Sequence, residues 1–302
     1  MSVRLEPFRH LFPFESRFHD HAGVRQHYVD EGRGAPVVML HGNPTWSFMY
    51  RALIVNLRTS YRVIAPDHIG CGLSDKPDDT RYAYTLEQRV RDVSALLEST
   101  GVTRDITLVV HDWGGLIGLT WAVRHAERVK RLVILNTAAF PIPASTRLPL
   151  SIRVCRDTAL GAFFVRRFNA FSAMASHLAP QHRLAVEVRR AYTAPYDSWA
   201  NRIATLRFVQ DIPLGPQDPS FELVRETAAG LESLRSRPMM ICWGERDFVF
   251  DRHFLDEWIQ RFPLAEVHRF PDAGHYVLED AADRIVPLVR SFLAAHPVEE
   301  RV

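Results

Sequence analysis

The stretch Leu108-Val109-Val110-His111-Asp112-Trp113-Gly114-Gly115 decides how the chain folds. It opens with an apolar run rich in β-branched side chains, which is typical of a buried strand. The run stops at a His-Asp-Trp-Gly-Gly turn and passes directly into an apolar-periodic segment, residues 116–125, which predicts a helix. We therefore predict a strand, a tight turn and a helix, with Asp112 at the turn and small residues behind it.

Asp112 occupies the position from which a turn of this kind presents a nucleophile. A carboxylate with an ordinary pKa of about 3.9 is ionised at neutral pH and attacks an sp³ carbon without the help of a base. The product is an alkyl ester on Asp112, and a neighbouring base is then free to activate the water that cleaves it. Asp is also a favoured helix N-cap, so the motif by itself leaves both roles open.

Length and composition exclude several classes of protein. The chain has 302 residues, of which 47% are hydrophobic, enough for one large domain or a core with an insertion. Lys and Arg total 37 against 35 for Asp and Glu, and no basic run occurs, so no nucleic-acid partner is expected. No signal peptide and no transmembrane segment are recognisable, and we expect a cytoplasmic protein.

The cysteines do not predict a metal site or a disulfide framework. Cys71, Cys155 and Cys242 are odd in number, widely separated and without CxxC spacing. We interpret them as packing residues, and we expect the protein to need neither a metal nor a cofactor.

Strand-like and helix-like segments alternate through most of the chain, which predicts a mostly parallel, eight-stranded sheet with helices on both faces. Predicted strands cover 16–18, 25–30, 36–40, 61–66, 108–111, 129–136, 238–243 and 266–270, and predicted core helices cover 47–57, 86–100, 116–125, 251–262 and 280–296. Between 141 and 231 prolines interrupt apolar helical runs, which favours an inserted helical cap. The predicted division is core 1–140, cap 141–231 and core 232–302.

Four residues with suitable chemistry follow predicted parallel strands, at the edge of the sheet where catalytic groups gather. They are Asn43, Asp112, Asp247 and His275. The order nucleophile, acid, histidine is that of the α/β-hydrolase triad, so we predict an α/β-hydrolase fold.

His275 is the predicted base, although a surface histidine is the simpler interpretation in a chain with 14 histidines. Asp247 is predicted to orient His275 and to stabilise its protonated form. Glu245, Asp251 and Asp272 are its rivals, each also interpretable as a helix cap or a solvated charge. Asn136, at the end of the preceding strand, is an amide and cannot replace the carboxylate.

Asn43 and Trp113 are predicted to stabilise an anion. Their backbone N–H groups are placed as an oxyanion hole, and an Asn amide with an indole N–H in a dry pocket suits a halide or a leaving carboxylate. Asn43 could instead stabilise the turn before Pro44, and Trp113 could only pack. His41 and His111 are interpreted as structural hydrogen-bonding residues.

With these motifs the sequence resembles the haloalkane dehalogenases, specifically their third subfamily. The resemblance is carried by HGNPTWSF at 41–48, HDWGG at 111–115 and the acid at Asp247. It is closer still to the β-lactone decarboxylases of bacterial long-chain olefin biosynthesis, through DHIGCGLSDKPDD at 67–79, LNTAAFP at 135–141, NRIATLRFVQDIPL at 201–214, RDFVFD at 246–251 and DAGHYVLED at 272–280. Asn136 stands where the second dehalogenase subfamily has its catalytic glutamate, which excludes that arrangement.

This resemblance implies that Asp112 is the nucleophile, His275 the base, Asp247 its acid, and Asn43 with Trp113 the anion-stabilising pair. It implies decarboxylation of cis-3,4-dialkyl β-lactones to alkene and CO2, with haloalkane hydrolysis as the alternative. Whether the covalent intermediate is an acyl anhydride or an alkyl ester stays open. The expected partner is a small hydrophobic substrate, and a homo-oligomer or an assembly with olefin-pathway enzymes is compatible with the resemblance.

Two further interpretations compete with these. In an epoxide hydrolase, Tyr192 and Tyr196 would protonate the epoxide oxygen, but the motif HGNP departs from the HG-aromatic-P of that class. A non-catalytic binding module would have lost the triad, which this chain retains. The apolar run 159–165, with Phe168 and Phe171, fits either a channel for alkyl chains or ordinary helix packing.

Overall fold

The computed structural model describes residues 6–298 and places eight strands in one sheet. The strands are β1 (Arg17–His21), β2 (Val24–Glu31), β3 (Pro36–Leu40), β4 (Arg62–Pro66), β5 (Ile106–Asp112), β6 (Val129–Thr137), β7 (Met239–Gly244) and β8 (Glu266–Phe270). Their order is β1-β2-β4-β3-β5-β6-β7-β8, antiparallel for the first two pairs and parallel for the other five. The prediction of a mostly parallel eight-stranded sheet is confirmed.

Strand β5 lies in the middle of the sheet, between β3 and β6, and all seven of its residues are buried. Leu108 and Val110 pack into one hydrophobic cluster, whereas Val109 packs into a second cluster on the opposite face. Successive side chains of a strand point to opposite faces, so a strand covered on both sides reads as a continuous apolar run. This explains why the stretch before Asp112 shows no polar alternation.

Twelve α-helices form within residues 6–298. They are α1 (Arg51–Leu57), α2 (Leu86–Ser99), α3 (Trp113–Arg124), α4 (Leu150–Asp157), α5 (Ala159–Phe168), α6 (Ala170–Leu178), α7 (Val186–Thr193), α8 (Ile203–Gln210), α9 (Phe221–Gly230), α10 (Arg252–Arg261), α11 (Val277–Asp280) and α12 (Ala282–Ala295). Helices α2, α3 and α10 cover one face of the sheet, and α1 and α12 cover the other.

Three helices differ from their predicted boundaries. The helix expected from residue 116 already begins at Trp113, because Asp112 has φ 50° and turns the chain directly into α3. The helix expected at 47–57 opens with a 3-10 turn, Ser47–Tyr50. The last predicted helix, 280–296, begins two residues later as α12, because Ala281 with φ −142° separates it from the short helix α11 before it.

Helices α4 to α9 lie between β6 and β7 in sequence, and three of them, α4, α6 and α8, line the cavity over Asp112 and His275. The indole N–H of Trp46 donates to the carbonyl of Ala191 at 3.1 Å, and the hydroxyl of Tyr192 donates to Glu279 at 2.5 Å. These bonds join the cap helices to the core. The domain boundaries after residues 140 and 231 stay a prediction.

The apolar run 159–165 does not line the cavity over Asp112. Gly161 and Val165 pack inside the cap, while Phe163, Phe164 and Phe168 are exposed and contact one another. Of the residues proposed for an alkyl channel, Phe171 alone lines the cavity. Within residues 6–298 no helix combines the length and the apolar character needed to cross a membrane.

Candidate active site

The turn between β5 and α3 holds Asp112 in a strained backbone conformation, with φ 50° and ψ −127°. Its glycines are required by close approach of other chain segments. A Cβ on Gly114 would lie 1.9 Å from the carbonyl oxygen of Leu40, and one on Gly115 would lie 1.8 Å from Oγ1 of Thr137. Non-glycine residues at positive φ are uncommon and concentrate at functional sites, which is consistent with a nucleophile elbow.

The side chain of Asp112 does not cap α3. Its Oδ1 accepts a hydrogen bond from the backbone N–H of Asn43 at 2.6 Å. Its Oδ2 lies 3.7 Å from Nε2 of His275. One oxygen is therefore held by the backbone, and the other faces the histidine. Of the two roles left open by the motif, the N-cap is not the one adopted.

Burial raises the pKa of Asp112 above its ordinary value, while His275 and the two backbone N–H groups oppose that rise. Burial disfavours the charged form of a carboxyl group, whereas positive charge and donated hydrogen bonds favour it. The nucleophile therefore depends on its donors to remain ionised, and not on an ordinary aqueous pKa.

His275 and Asp247 form a buried pair, with Nδ1 of the histidine 2.8 Å from Oδ2 of the carboxylate. Burial alone would lower the pKa of His275, but the negative charges of Asp247 and Asp112 raise it above 6.5. Asp247 is itself fixed, since its Oδ1 accepts from the backbone N–H groups of Val249 at 2.7 Å and Phe250 at 3.1 Å.

The three rivals of Asp247 have other partners. Glu245 pairs with Arg269. Asp251 caps α10 by accepting from the backbone N–H of His253, and Asp272 pairs with Arg284. Within residues 6–298, Asp247 is the carboxylate in hydrogen-bonding contact with Nδ1 of His275.

Asn136 has a role that the sequence reasoning missed. Its Nδ2 donates to Oδ2 of Asp247 and to the carbonyl of Gly244, each at 3.0 Å, and its Oδ1 accepts from the N–H of Gly244 at 2.8 Å. The amide cannot replace a carboxylate, but it ties the end of β6 to β7 and orients the carboxylate of Asp247. Its place at the end of a predicted parallel strand was the available signal in the sequence.

Asn43 and Trp113 both line the cavity beside Asp112. Asn43 Nδ2 already donates to the carbonyl of Thr205 at 3.1 Å, which leaves its second hydrogen for a ligand. Within residues 6–298, the indole N–H of Trp113 makes no hydrogen bond, and its ring packs on Phe208 with centroids 5.3 Å apart. The structure thus brings the two predicted donors together. One N–H of the Asn43 amide is bound to the cap at Thr205, and the other remains for a ligand in the cavity.

The oxyanion loop is supported by neutral histidines. Burial lowers the pKa of His41, whose Nδ1–H donates to the carbonyl of Gly42 at 2.7 Å while Nε2 accepts from the N–H of His68 at 3.0 Å. Burial also lowers the pKa of His111, which donates to the carbonyl of His275 at 2.8 Å. Both residues make the structural hydrogen bonds expected of them.

The cavity over Asp112 has an empty volume of about 800 Å³ and is walled largely by apolar cap side chains. Neither Tyr192 nor Tyr196 lines it. The hydroxyl of Tyr192 is bound to Glu279, and that of Tyr196 donates to the carbonyl of Thr45 at 3.4 Å. The acids required for the epoxide interpretation therefore point away from the nucleophile. Within the described residues, no cluster of three or more His, Cys, Asp or Glu is arranged to hold a metal ion.

Comparison with known proteins gives the family. Residues 35–282 match the model of the alpha/beta hydrolase fold family. The cis-3-alkyl-4-alkyloxetan-2-one decarboxylase of Shewanella oneidensis is 54% identical over 284 residues, covering 94% of this chain and 89% of that protein. Haloalkane dehalogenase 2 of Mycobacterium tuberculosis is 33% identical over 290 residues, covering 96% and 98%.

A solved structure agrees with these relatives. The crystal structure of the haloalkane dehalogenase DatA from Agrobacterium tumefaciens superposes with a TM-score of 0.81 at 27% identity, covering 94% of this chain and 97% of that one. The chain therefore belongs to the α/β-hydrolase fold family, in the group of enzymes that holds the β-lactone decarboxylases and, at greater distance, the haloalkane dehalogenases.

Proposed function

We propose that this enzyme decarboxylates cis-3,4-dialkyl β-lactones to alkenes, with Asp112 as nucleophile. The Shewanella relative that carries this activity in its name is 54% identical, against 33% for the dehalogenase. The observation that carries the proposal is the placement of Asp112 at the base of an apolar cavity beside Asn43, Trp113 and His275, with Oδ2 facing His275 and Oδ1 bound to the backbone N–H of Asn43. Such a pocket suits a hydrophobic substrate with one polar reacting group.

The arrangement around Oδ1 favours attack at the ring carbon C4 over attack at the carbonyl carbon. The backbone N–H of Asn43, one of the two predicted oxyanion-hole donors, is occupied by the nucleophile's own Oδ1. A carbonyl of the substrate would have to displace Oδ1 to use this donor. The same donor is in place to hold the carbonyl oxygen of an alkyl ester formed through Oδ2.

The reaction then has two balanced steps. In the first, a lone pair of Asp112 Oδ2 forms a bond to C4 while the C4–O bond breaks, and the ring oxygen becomes part of a carboxylate that accepts from Asn43 and Trp113. In the second, the C2–C3 bond breaks, its electrons form the C3=C4 double bond, and the C4–O bond to Asp112 breaks. CO2 leaves and the Asp112 carboxylate is regenerated. Inversion at C4 followed by anti elimination converts a cis lactone into a cis alkene.

The position of an isotope label tests this route. A dialkyl β-lactone labelled with oxygen-18 in the ring is incubated with the enzyme, and CO2, water and alkene are analysed. Attack at C4 carries the label into CO2. Attack at the carbonyl leaves the ring oxygen on C4 as an alkoxide, and its later loss would put the label into water. Cis alkene with labelled CO2 supports the proposal, whereas labelled water contradicts the alkyl ester.

Haloalkane hydrolysis is the second candidate function. The 3.7 Å between His275 Nε2 and Asp112 Oδ2 favours it, since a neutral imidazole there is placed to activate water against an Asp112 ester. Purified enzyme is given 1-bromoalkanes and a β-lactone in separate reactions, and halide and alkene are measured. Rapid halide release without any alkene would show that haloalkane hydrolysis is the function and would contradict the decarboxylase proposal. Asp112→Ala is expected to abolish both.

We further propose a cytoplasmic enzyme that forms a homo-oligomer or assembles with enzymes of an olefin pathway, on the strength of the sequence resemblance. Cell fractionation and light scattering of the purified protein, alone and with candidate pathway enzymes, test these two points. A monomer that binds none of them would contradict the assembly.

A further inference from the structure

Two cavities meet at the nucleophile. One has an empty volume of about 800 Å³ and the other about 640 Å³. Both are lined by Asp112, Trp113, Ile212 and Val249, so they share an inner end and diverge from it. We name them the cap arm and the core arm.

The cap arm runs under α4 and α6. Its wall is apolar over most of its length, with polar side chains of the reacting site at its inner end. The apolar lining beyond that end includes Ile152, Ala170, Phe171, Met174, Ala175 and Leu178. Met174 and Leu178 are about half exposed, so this arm reaches the surface of the cap.

The core arm runs between the segment 138–148 and helix α10. Its wall includes Leu116, Phe140, Ile142, Leu148, Phe250 and Phe254. Besides Asp112, Thr146 brings a polar side chain into this wall, and its hydroxyl is bound to the carboxylate of Asp251 at 3.1 Å. Apart from Asp112 at its inner end, the described residues of the wall present no charged side chain to a ligand, so the rest of the arm suits a hydrocarbon chain.

We propose that the two arms are separate subsites for the two alkyl chains of the lactone, one chain in each. This assignment rests on the proposed function, because a β-lactone substituted at C3 and C4 carries two chains on adjacent ring carbons. With the ring held at Asp112, the chains leave the reacting centre in different directions, as the arms do. A linear 1-haloalkane has one chain and occupies one arm.

Each arm is lined by a partly buried residue at which a larger side chain would narrow it. Ala175 on α6 lines the cap arm and Leu148 lines the core arm, and both are only partly buried. Ala175→Phe and Leu148→Trp therefore constrict one arm each. Ala159→Phe and Leu150→Trp are the matched controls, since both residues are exposed and line neither arm.

The test uses two regioisomeric cis lactones, one with a long chain at C3 and a methyl group at C4, the other with these exchanged. Alkene formation gives kcat/KM for each isomer. We expect Ala175→Phe to lower kcat/KM about tenfold or more for one isomer and Leu148→Trp to do so for the other, since each buried methylene contributes about fourfold to binding. The control variants are expected to leave the ratio between isomers unchanged.

The outcomes separate the two proposals. Opposite selectivity changes in the two variants, with unchanged thermal melting, support one chain per arm. If both variants penalise the same isomer, or neither changes the ratio, the arm assignment is overturned while the decarboxylase function stands. If the unmodified enzyme forms no alkene from either isomer, the proposed function itself fails.

Discussion

Nε2 of His275 lies 3.7 Å from Oδ2 of Asp112, just beyond hydrogen-bonding distance. Asp247 holds the histidine on the opposite side of its ring, at Nδ1, and the backbone N–H of Asn43 holds the other oxygen of Asp112, Oδ1. Oδ2, the oxygen proposed to attack, is therefore held in position without accepting a strong hydrogen bond from His275. The spacing also allows the histidine to act on a water molecule once Oδ2 has become an ester oxygen.

Replacing the histidine should separate the two candidate reactions. Hydrolysis of an alkyl ester needs a base, whereas the two-step decarboxylation consumes no water. We expect His275→Gln to lower haloalkane turnover by about 10²–10⁴-fold, the usual contribution of a general base, and to leave an alkylated Asp112 visible by intact-protein mass spectrometry. The loss of decarboxylation activity should be at least tenfold smaller than the loss of haloalkane turnover. Equal losses in both reactions would contradict attack at C4.

The pH dependence of hydrolysis follows from the raised pKa of His275. Only the neutral imidazole accepts a proton, so ester hydrolysis should fall as the pH drops through a pKa that lies above 6.5. The contribution of the His275–Asp247 charge pair to the stability of the fold has the opposite pH dependence. This contribution is fully present below pH 6.5, the ordinary pKa of histidine, and is lost as the pH rises through the raised pKa of His275 in the folded state.

Asp247→Asn provides the check on that assignment. Without the negative charge of Asp247, the effect of burial, which lowers the pKa of His275, is opposed less strongly. The apparent pKa of ester hydrolysis should therefore move downward. Single-turnover kinetics with a 1-bromoalkane across pH measures it. An unchanged pKa would show that another group controls the step.

Asn136→Ala should disturb the acid without touching the nucleophile. It removes two donated hydrogen bonds and one accepted bond between β6 and β7. We expect the free energy of unfolding to fall by about 1–3 kcal/mol, the cost of leaving buried partners unsatisfied. The apparent pKa of ester hydrolysis should shift as well, because Asp247 loses a donor.

Asn136→Gly is its control, because residue 136 has φ 33° and glycine adopts that conformation without strain. If Asn136→Gly restores both stability and the pH profile, the backbone conformation matters and the side-chain bonds do not.

Gly42→Ala should block the site by direct contact. A Cβ at this position would lie 1.9 Å from Oδ1 of Asp112, so the carboxylate must move away from its backbone donors. We expect at least a 100-fold loss of activity, comparable to losing an oxyanion donor. Gly23→Ala is the control: Gly23 also sits in a turn, at φ 76°, but a Cβ there meets nothing within 4 Å. Full activity in Gly42→Ala would mean that Asp112 is not held as described.

Trp113→Phe tests the proposed anion site. The substitution keeps an aromatic ring against Phe208 but removes the indole N–H that faces the cavity. Loss of one such donor is expected to lower kcat by about 10²–10³-fold in both reactions. Trp199→Phe, at a half-exposed tryptophan outside the cavity, should leave both reactions unchanged. If Trp113→Phe is as active as the unmodified enzyme, the indole N–H does not bind the anion and Trp113 has a packing role.

Several features of the fold and of the site could be predicted from local sequence patterns. The run 108–110 is apolar because β5 is buried on both faces, and the glycines behind Asp112 are required by the approach of Leu40 and Thr137. The burial of a strand and the need for small residues both leave a pattern in the local sequence, so the strand, turn and helix around Asp112 and the mostly parallel sheet were predictable. The cap run 159–165 was not, because its apolar residues divide between the cap interior and the surface.

By itself, the sequence identified the candidate groups for the proposed chemistry: a carboxylate at a strand-to-helix turn, a histidine and an acid after later strands, and two donors beside them. Tertiary structure alone decided how each is held. Asn136 supports Asp247 only because β6 and β7 are neighbours, and Thr205 takes part of the Asn43 amide only because α8 of the cap lies over the β3 loop. The fork of the cavity arises likewise from residues far apart in the chain, because its shape depends on how helices pack across the sheet and not on any local pattern.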